Sequence, residues 1–231
     1  MKALVIHHLR SGFKDLATAR LEAAGLELDN RYPIDGDPLP GPEADHAVAL
    51  VHGSIADVTK HDAPGIAEEM HWIENWWRSQ RPYFGICHGL QLAAQLLGAR
   101  VGPPEHGRAE FGYYPLISHD PEEVPDGLHV FQWHYYGADL PDGARRMAST
   151  DLYPNQIVDL GPNRVGLQCH AELSRETQNW LRQVDPDGPR RPGGQSAETE
   201  AAMATQHYAE MQTWMQGFVD RWIECAGRPG Q

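Results

Sequence analysis

Gly85-Ile86-Cys87-His88-Gly89 sets a thiol between two glycines, the small-x-nucleophile-x-small spacing of a nucleophile elbow. A tight strand-to-helix turn exposes its central side chain only if the flanking residues are small. A thiol at a helix N-terminus faces free N–H groups and the positive end of the helix dipole, and both favour the nucleophilic thiolate. Without the flanking glycines, Cys87 would read as a small buried hydrophobe; with them it reads as a nucleophile. The second half of the chain supplies Gly166-Leu167-Gln168-Cys169-His170-Ala171-Glu172, in which a strand would deliver His170 with a carboxylate two residues on. A cysteine hydrolase needs a base that holds the thiolate as an ion pair and then protonates the leaving amine, and a third group that fixes the base's tautomer. Cys87, His170 and Glu172 can fill these roles. With 13 histidines in the chain, a His-x-Glu pair carries weight only through its partner elbow.

The elements around these residues suit that chemistry. Tyr83-Phe84-Gly85-Ile86 reads as a strand, and Leu90, Ala93, Ala94 and Leu97 as a helical stripe ending at Gly98. Earlier, Leu4-Val5-Ile6 predicts a strand, Phe13 to Gly25 a helix, and Leu26 to Tyr32 a second strand. Ala47 to Val51 is a continuous apolar run that suits a buried parallel strand. From Pro64 to Gln80, Ile66, Met70, Ile73 and Trp77 recur on one helical face and read as core. Further strands are predicted around Phe111 to Ile117, Leu128 to Trp133, Gln156 to Leu160 and Val165 to Gln168, with a helix from near Ser174. A Pro/Gly-rich loop from Asp185 to Ser196 precedes a last helix with Met211, Met215, Phe218 and Trp222 on one face. The alternation predicts an α/β fold, a mostly parallel central sheet with helices on both faces. We expect one domain over residues 1–231, with a C-terminal loop and helical extension at about 185–227.

Composition narrows the chemistry. Nineteen Lys and Arg against 32 Asp and Glu give a formal charge of -13, which disfavours nucleic acid and anionic membranes as partners. The apolar start is too short for a signal peptide and no stretch is long enough to span a bilayer, so a cytoplasmic location is expected. Three cysteines, Cys87, Cys169 and Cys225, make a disulfide framework improbable. His7 and His8 read as a strand end, and His61 and His71 as parts of a polar helical stretch. No His-Glu-x-x-His or paired-cysteine spacing occurs, so no metal or other cofactor is expected.

Six segments in order resemble the class I, or triad, glutamine amidotransferases, above all stand-alone proteins similar to the glutaminase domain of GMP synthase. They are Gly36 to Pro40, Val51-His52-Gly53, Gly85 to Gln91, Glu110 to Pro115, Phe131 to His134, and Gly166 to Glu172. The resemblance implies a flavodoxin-like sheet, with Cys87 as nucleophile, His170 as acid/base and Glu172 as its partner. It further implies an oxyanion hole of backbone N–H groups near Gly53 and His88, and substrate contacts at Gln91, Trp133 and Tyr135. His52, Tyr136, Cys169 and Ala171 depart from the family pattern where glycine, aspartate, phenylalanine and proline are usual. A side chain at His52 and a phenol at Tyr136 would reshape the pocket mouth.

No Gly-x-x-x-x-Gly-Lys-Ser/Thr loop is present, and the chain has only Lys2, Lys14 and Lys60, so no ATP-using domain is expected. The first expectation is therefore a glutaminase that hands ammonia to a separate synthetase subunit. A free-standing γ-glutamyl hydrolase acting on γ-glutamyl amines or peptides would use the same triad in a roomier pocket. A catalytically silent binding or regulatory module is the third alternative, disfavoured by the intact Cys87, His170 and Glu172.

Overall fold

The computed structural model describes residues 1–60 and 65–227. Its strands are β1 (Lys2–Ile6), β2 (Glu27–Arg31), β3 (His46–Val51), β4 (Tyr83–Ile86), β5 (Val101–Gly102), β6 (Glu110–Pro115), β7 (Ile117–Ser118), β8 (His129–His134), β9 (Gly137–Ala138), β10 (Arg145–Ser149), β11 (Ile157–Asp159) and β12 (Arg164–Leu167). Its helices are α1 (Leu16–Ala23), α2 (Ile66–Arg78), α3 (His88–Leu96), α4 (Arg175–Val184) and α5 (Ala197–Ala226). Asp15, Ser174 and Ser196 start α1, α4 and α5, each accepting a bond from the N–H three residues on. Such caps satisfy donors that a helix leaves free at its first turn.

An eight-stranded sheet runs in the order β2-β1-β3-β4-β12-β11-β10-β7. Its first five strands are parallel, and the remaining three continue it antiparallel. Alternation along β1 explains why its run is apolar throughout: Ala3 and Val5 pack beneath α1 and α5 with Leu21, Met215 and Phe218. Leu4 and Ile6 face the other way, onto Trp72, Ile73 and Leu90 of α2 and α3. Both faces are therefore dry, and no polar alternation is tolerated. Arg20 clamps α1 to α5 by a two-pronged pair with Asp220 at 2.7 and 3.0 Å.

The structure departs from the sequence reading in three places. On α2 the buried face is Ile66, Glu69, Trp72, Ile73 and Trp76, while Met70 and Trp77 are only half-buried. The stripe is rotated because a carboxylate, Glu69, sits at a core position that hydrophobic spacing cannot flag. Strand β10, with Arg145-Arg146 at its start, and the two-residue strands β5 and β9 are not legible from apolar alternation. The segments β6 and β8 form their own antiparallel ribbon instead of joining the main sheet. His61, read as part of a polar helical stretch, and Pro64, read as the start of a helix, lie outside the described residues.

The elbow glycines have a direct steric cause. A Cβ at Gly89 would lie 2.4 Å from the Val51 carbonyl oxygen, and one at Gly85 would lie 2.6 Å from the Gly89 backbone carbon. Helix α3 thus packs on β3 and β4 at a distance that only hydrogen side chains permit. Gly89→Ala is expected to lose about 1–3 kcal/mol of stability as an overpacking change, read as a lower urea midpoint with unchanged m-value.

Candidate active site

Parallel pairing of β4 with β12 sets Gly85 beside Gly166 and Ile86 beside Leu167. The two chains therefore leave the same end of the sheet together, although about eighty residues separate them in sequence. The Cys87 N–H donates to the Leu167 carbonyl at 2.6 Å, and the Gln168 amide lies 3.4 Å from the Cys87 sulfur. Cys87 itself has φ 50°, a conformation that side-chain-bearing residues rarely adopt. Such a residue persists only where its surroundings over-determine it, which they do here through β4, α3 and Leu167. The sulfur is held at the N-terminus of α3, where the first turn's N–H groups are free.

His170 arrives two residues after Gln168, its N–H bonded to the Phe131 carbonyl at 2.8 Å. Its Nδ1 lies 2.9 Å from Glu172 Oε1, and both the imidazole and Cys87 lie against Gly53. Burial alone would lower the imidazole's pKa. The neighbouring Glu172 and Cys87 outweigh it and push the value up to about 10. All three side chains are buried: Cys87 is 5% exposed, His170 8% and Glu172 1%. Gly53 closes the site from the β3 side, where a Cβ would stand 2.6 Å from His170 Cε1 and 3.4 Å from Cys87 Cβ.

The other residues expected at the site take varied places. His88 is the first residue of α3, and its ring turns away from the sulfur into a buried trio. Gln91 is spoken for within the protein, its amide donating to Gln168 Oε1 at 3.2 Å and to the Tyr136 carbonyl at 3.3 Å. Trp133 packs between Phe131 and Phe111, with its indole N–H buried and unpartnered. Tyr135 is half-buried under the Arg191 guanidinium, 4.6 Å from its ring centre. The Tyr136 hydroxyl reaches across to Asp57 at 3.2 Å, joining two loops at the mouth.

Sequence reasoning missed the trio. His8 Nε2 and His88 Nε2 lie 2.8 and 3.3 Å from the two oxygens of Glu69. All three residues are inside the protein, and their candidate ligand atoms lie within 4.8 Å of one another, close enough to hold a metal ion. The two hydrogen bonds already satisfy both carboxylate oxygens without one. Burial opposes the Glu69 charge, but His8 and His88 prevail and hold its pKa down at about 2. The reading of His8 as a bland strand end is thus corrected: it braces β1 through α2 to the elbow. His52 is likewise buried, and burial takes its pKa down to about 4 against the pull of Asp15, with His7, His8 and His170 adding to the fall. The available signal was position, since His7, His8 and His52 all follow the C-terminal ends of parallel strands, where α/β sheets bind ligands. Cys169 is fully buried and its pKa is raised by burial, so it is an inert thiol.

Known proteins share this arrangement of chain. A glutamine amidotransferase-like protein of Salmonella typhimurium, YfeJ, is 29% identical over 219 residues, covering 84% of this chain and 86% of its own. A glutamine-hydrolysing GMP synthase of Prochlorococcus marinus is 33% identical over 109 residues, 45% of this chain. This chain spans only 20% of that synthase's length. Among solved structures, a glutamine amidotransferase from Methylobacillus flagellatus superposes with a TM-score of 0.87 over 100% of this chain and 97% of that one, at 23% identity. One from Thermotoga maritima gives 0.84 over 97% and 98%, also at 23% identity. These likenesses share the fold found here, a large, mostly parallel sheet flanked by helices. Residues 38–183 match the family described as Glutamine amidotransferase class-I, which spans the elbow, the ribbon and the strand that carries His170, and so the chain belongs to the class-I glutamine amidotransferases.

Proposed function

We propose that the protein hydrolyses the γ-carboxamide of glutamine through a Cys87-His170-Glu172 triad and a γ-glutamyl thioester. The observation that supports this most is the buried line from the sulfur through His170 to Glu172, with Nδ1 held at 2.9 Å and the imidazole kept protonated by its two neighbours. Cys87 attacks the amide carbon, and the negative charge passes to the amide oxygen. The Gly53 and His88 N–H groups are the donors we assign to that oxygen, each contributing about 3 kcal/mol to the barrier reduction. The C–N bond then breaks as His170 gives its proton to the departing ammonia. In the second half, His170 takes a proton from water, which attacks the thioester and releases glutamate and the free thiol. Glu172 holds the imidazole in one tautomer throughout. In this reading the ammonia passes to a separate acceptor synthetase.

A second reading, hydrolysis of γ-glutamyl amines by the same triad, draws on one observation: a cavity of about 640 Å³ opens beside His170 and Gly53. Ammonia needs no such space. Parallel assays of ammonia release from glutamine and amine release from γ-glutamyl amides separate the two readings. Failure to turn over any of them would refute both.

Gly53→Ala tests the geometry. A methyl group 2.6 Å from His170 Cε1 must displace the ring. Glutamine turnover is expected to fall by about 10²-fold, the usual consequence of moving a catalytic group by an ångström, while the melting temperature stays within a few degrees of the parent. Unchanged turnover would show that the imidazole does not act from this position.

A further inference from the structure

Gln168 follows β12 at the point where the chain turns towards His170, and it is 0% exposed. A primary amide so placed must find its partners within the protein, because an unmet buried donor or acceptor costs more than a hydrogen bond returns. Its backbone N–H is fixed to the Gln156 carbonyl at 2.7 Å. Its side chain spans two neighbours: Gln91 meets one end at 3.2 Å, and the Cys87 sulfur lies 3.4 Å from the other. The triad chemistry leaves this amide without a role.

A backbone group decides which end of the amide faces the sulfur. The oxygen and nitrogen ends of an amide have nearly the same shape, so its direction is set by its partners. The Tyr136 carbonyl can only accept, and Gln91 reaches it at 3.3 Å, so that end of Gln91 is the NH2. The same NH2 meets Gln168, so the Gln168 end there is the oxygen. The opposite end, towards Cys87, is then an N–H donor. His134 Nδ1 lies 3.0 Å from the same Tyr136 carbonyl and helps to hold this anchor. The direction thus passes from a main-chain carbonyl through two buried amides to the sulfur.

A thiolate accepts hydrogen bonds well and a thiol weakly, so a fixed donor favours the ionised sulfur. The effect grows in a buried site, where no water competes for the amide. His170 packs with Cys87 against Gly53, Glu172 stands behind His170, and His88 on α3 turns away to Glu69. Gln168 is neutral, and it adds a donor beside the sulfur without adding a charge. We infer that Gln168 is a further catalytic residue, an amide donor that holds the Cys87 sulfur as the thiolate, and that Gln91 is the positioning residue that keeps this donor turned towards it. The inference deepens the triad reading and rests on it for the role of the sulfur. The donor serves twice: before attack it favours the nucleophile, and when water cleaves the thioester it receives the charge that returns to sulfur.

Alkylation of Cys87 by iodoacetamide, followed across pH and read on the Cys87 peptide by mass spectrometry, tests both roles without requiring turnover. Gln168→Met keeps the length of the side chain and removes its donor. Gln91→Met leaves the donor in place and frees it to turn. The pH of half-maximal alkylation is expected to rise by about one unit in Gln168→Met, the scale of one hydrogen bond to a charged group, and by less in Gln91→Met. The acidic limb of the kcat/KM profile for glutamine should move with it, since that profile reports ionisations of the free enzyme. A purely structural role would lower the melting temperature and leave both profiles in place. Unmoved midpoints in both variants, with glutamine still turned over, overturn the donor and leave the triad reading standing. Moved midpoints in a protein that hydrolyses no glutamine keep the donor and overturn the triad reading. A shift in Gln168→Met alone overturns the part given to Gln91. Should Gln168→Met not fold, Gln91→Met decides, and an unmoved midpoint there overturns the inference.

Discussion

Ammonia release from glutamine is expected to fall by on the order of 10⁴-fold or more when Cys87 is replaced by alanine, the scale on which hydrolases respond to loss of the nucleophile. No other thiol can substitute. Cys169 is enclosed and kept protonated by burial, and Cys225 is on the exposed surface of α5. The same variant has a signature in stability that does not depend on substrate. His170 has its pKa raised from 6.5 to about 10. Its interactions therefore contribute fully to stability below pH 6.5 and are lost as the pH rises through about 10. With the thiolate gone, that alkaline loss is expected to shrink, so melting temperatures of parent and Cys87→Ala should converge between pH 6.5 and 10. Turnover that survives the substitution would refute the thioester mechanism. Parallel pH curves would refute the ion pair.

Glu69→Ala is expected to be the most destabilising single change in the site, costing about 1–3 kcal/mol for each buried imidazole left without its acceptor, because it removes the shared partner of His8 and His88. His8 and His88 would face each other across an empty position, with ring centres 4.5 Å apart. The effect has a sign in pH. The pKa of Glu69 is held below its usual 4.5, at about 2. It therefore stabilises the fold above pH 4.5, and that contribution is lost as the pH falls towards 2. Urea unfolding of the parent should weaken over that interval, whereas Glu69→Ala should have lost this slope and start from a lower plateau. Glu69→Gln, which keeps the shape and one acceptor, should recover part of the loss. A destabilisation below 1 kcal/mol in Glu69→Ala would mean that the cluster is not bracing the elbow.

Such a brace explains how a strained cysteine survives. A residue at φ 50° stores energy that its neighbours must offset. Here β4 holds it from one side, α3 from the other, and Glu69 ties the first residue of α3 to the end of β1. The buried Glu110 plays a related part behind the ribbon, accepting from Gln156 at 2.6 Å and lying 3.2 Å from His134. Both carboxylates fix loop geometry that apolar packing alone would leave adjustable.

The sequence alone determined the periodic parts of this protein: β1, β3, β4, α3 and α5, the parallel sheet they imply, and the pairing of a glycine-flanked thiol with a His-x-Glu turn. These are legible because they follow local rules, alternation in strands, a 3.6-residue stripe in helices, and the need for absent side chains at a tight turn. Only the tertiary structure decided that Glu69 is buried between His8 and His88, that β6 and β8 stand apart as a ribbon, and that His7, His52 and Asp15 line a cavity beside the His170 imidazole. The reason is physical. A charged or polar residue carries the same local signal whether it meets water or a partner sixty residues away, and strand order is set by which faces can be buried together. Chemistry that depends on such encounters is decided only when the sheet is assembled.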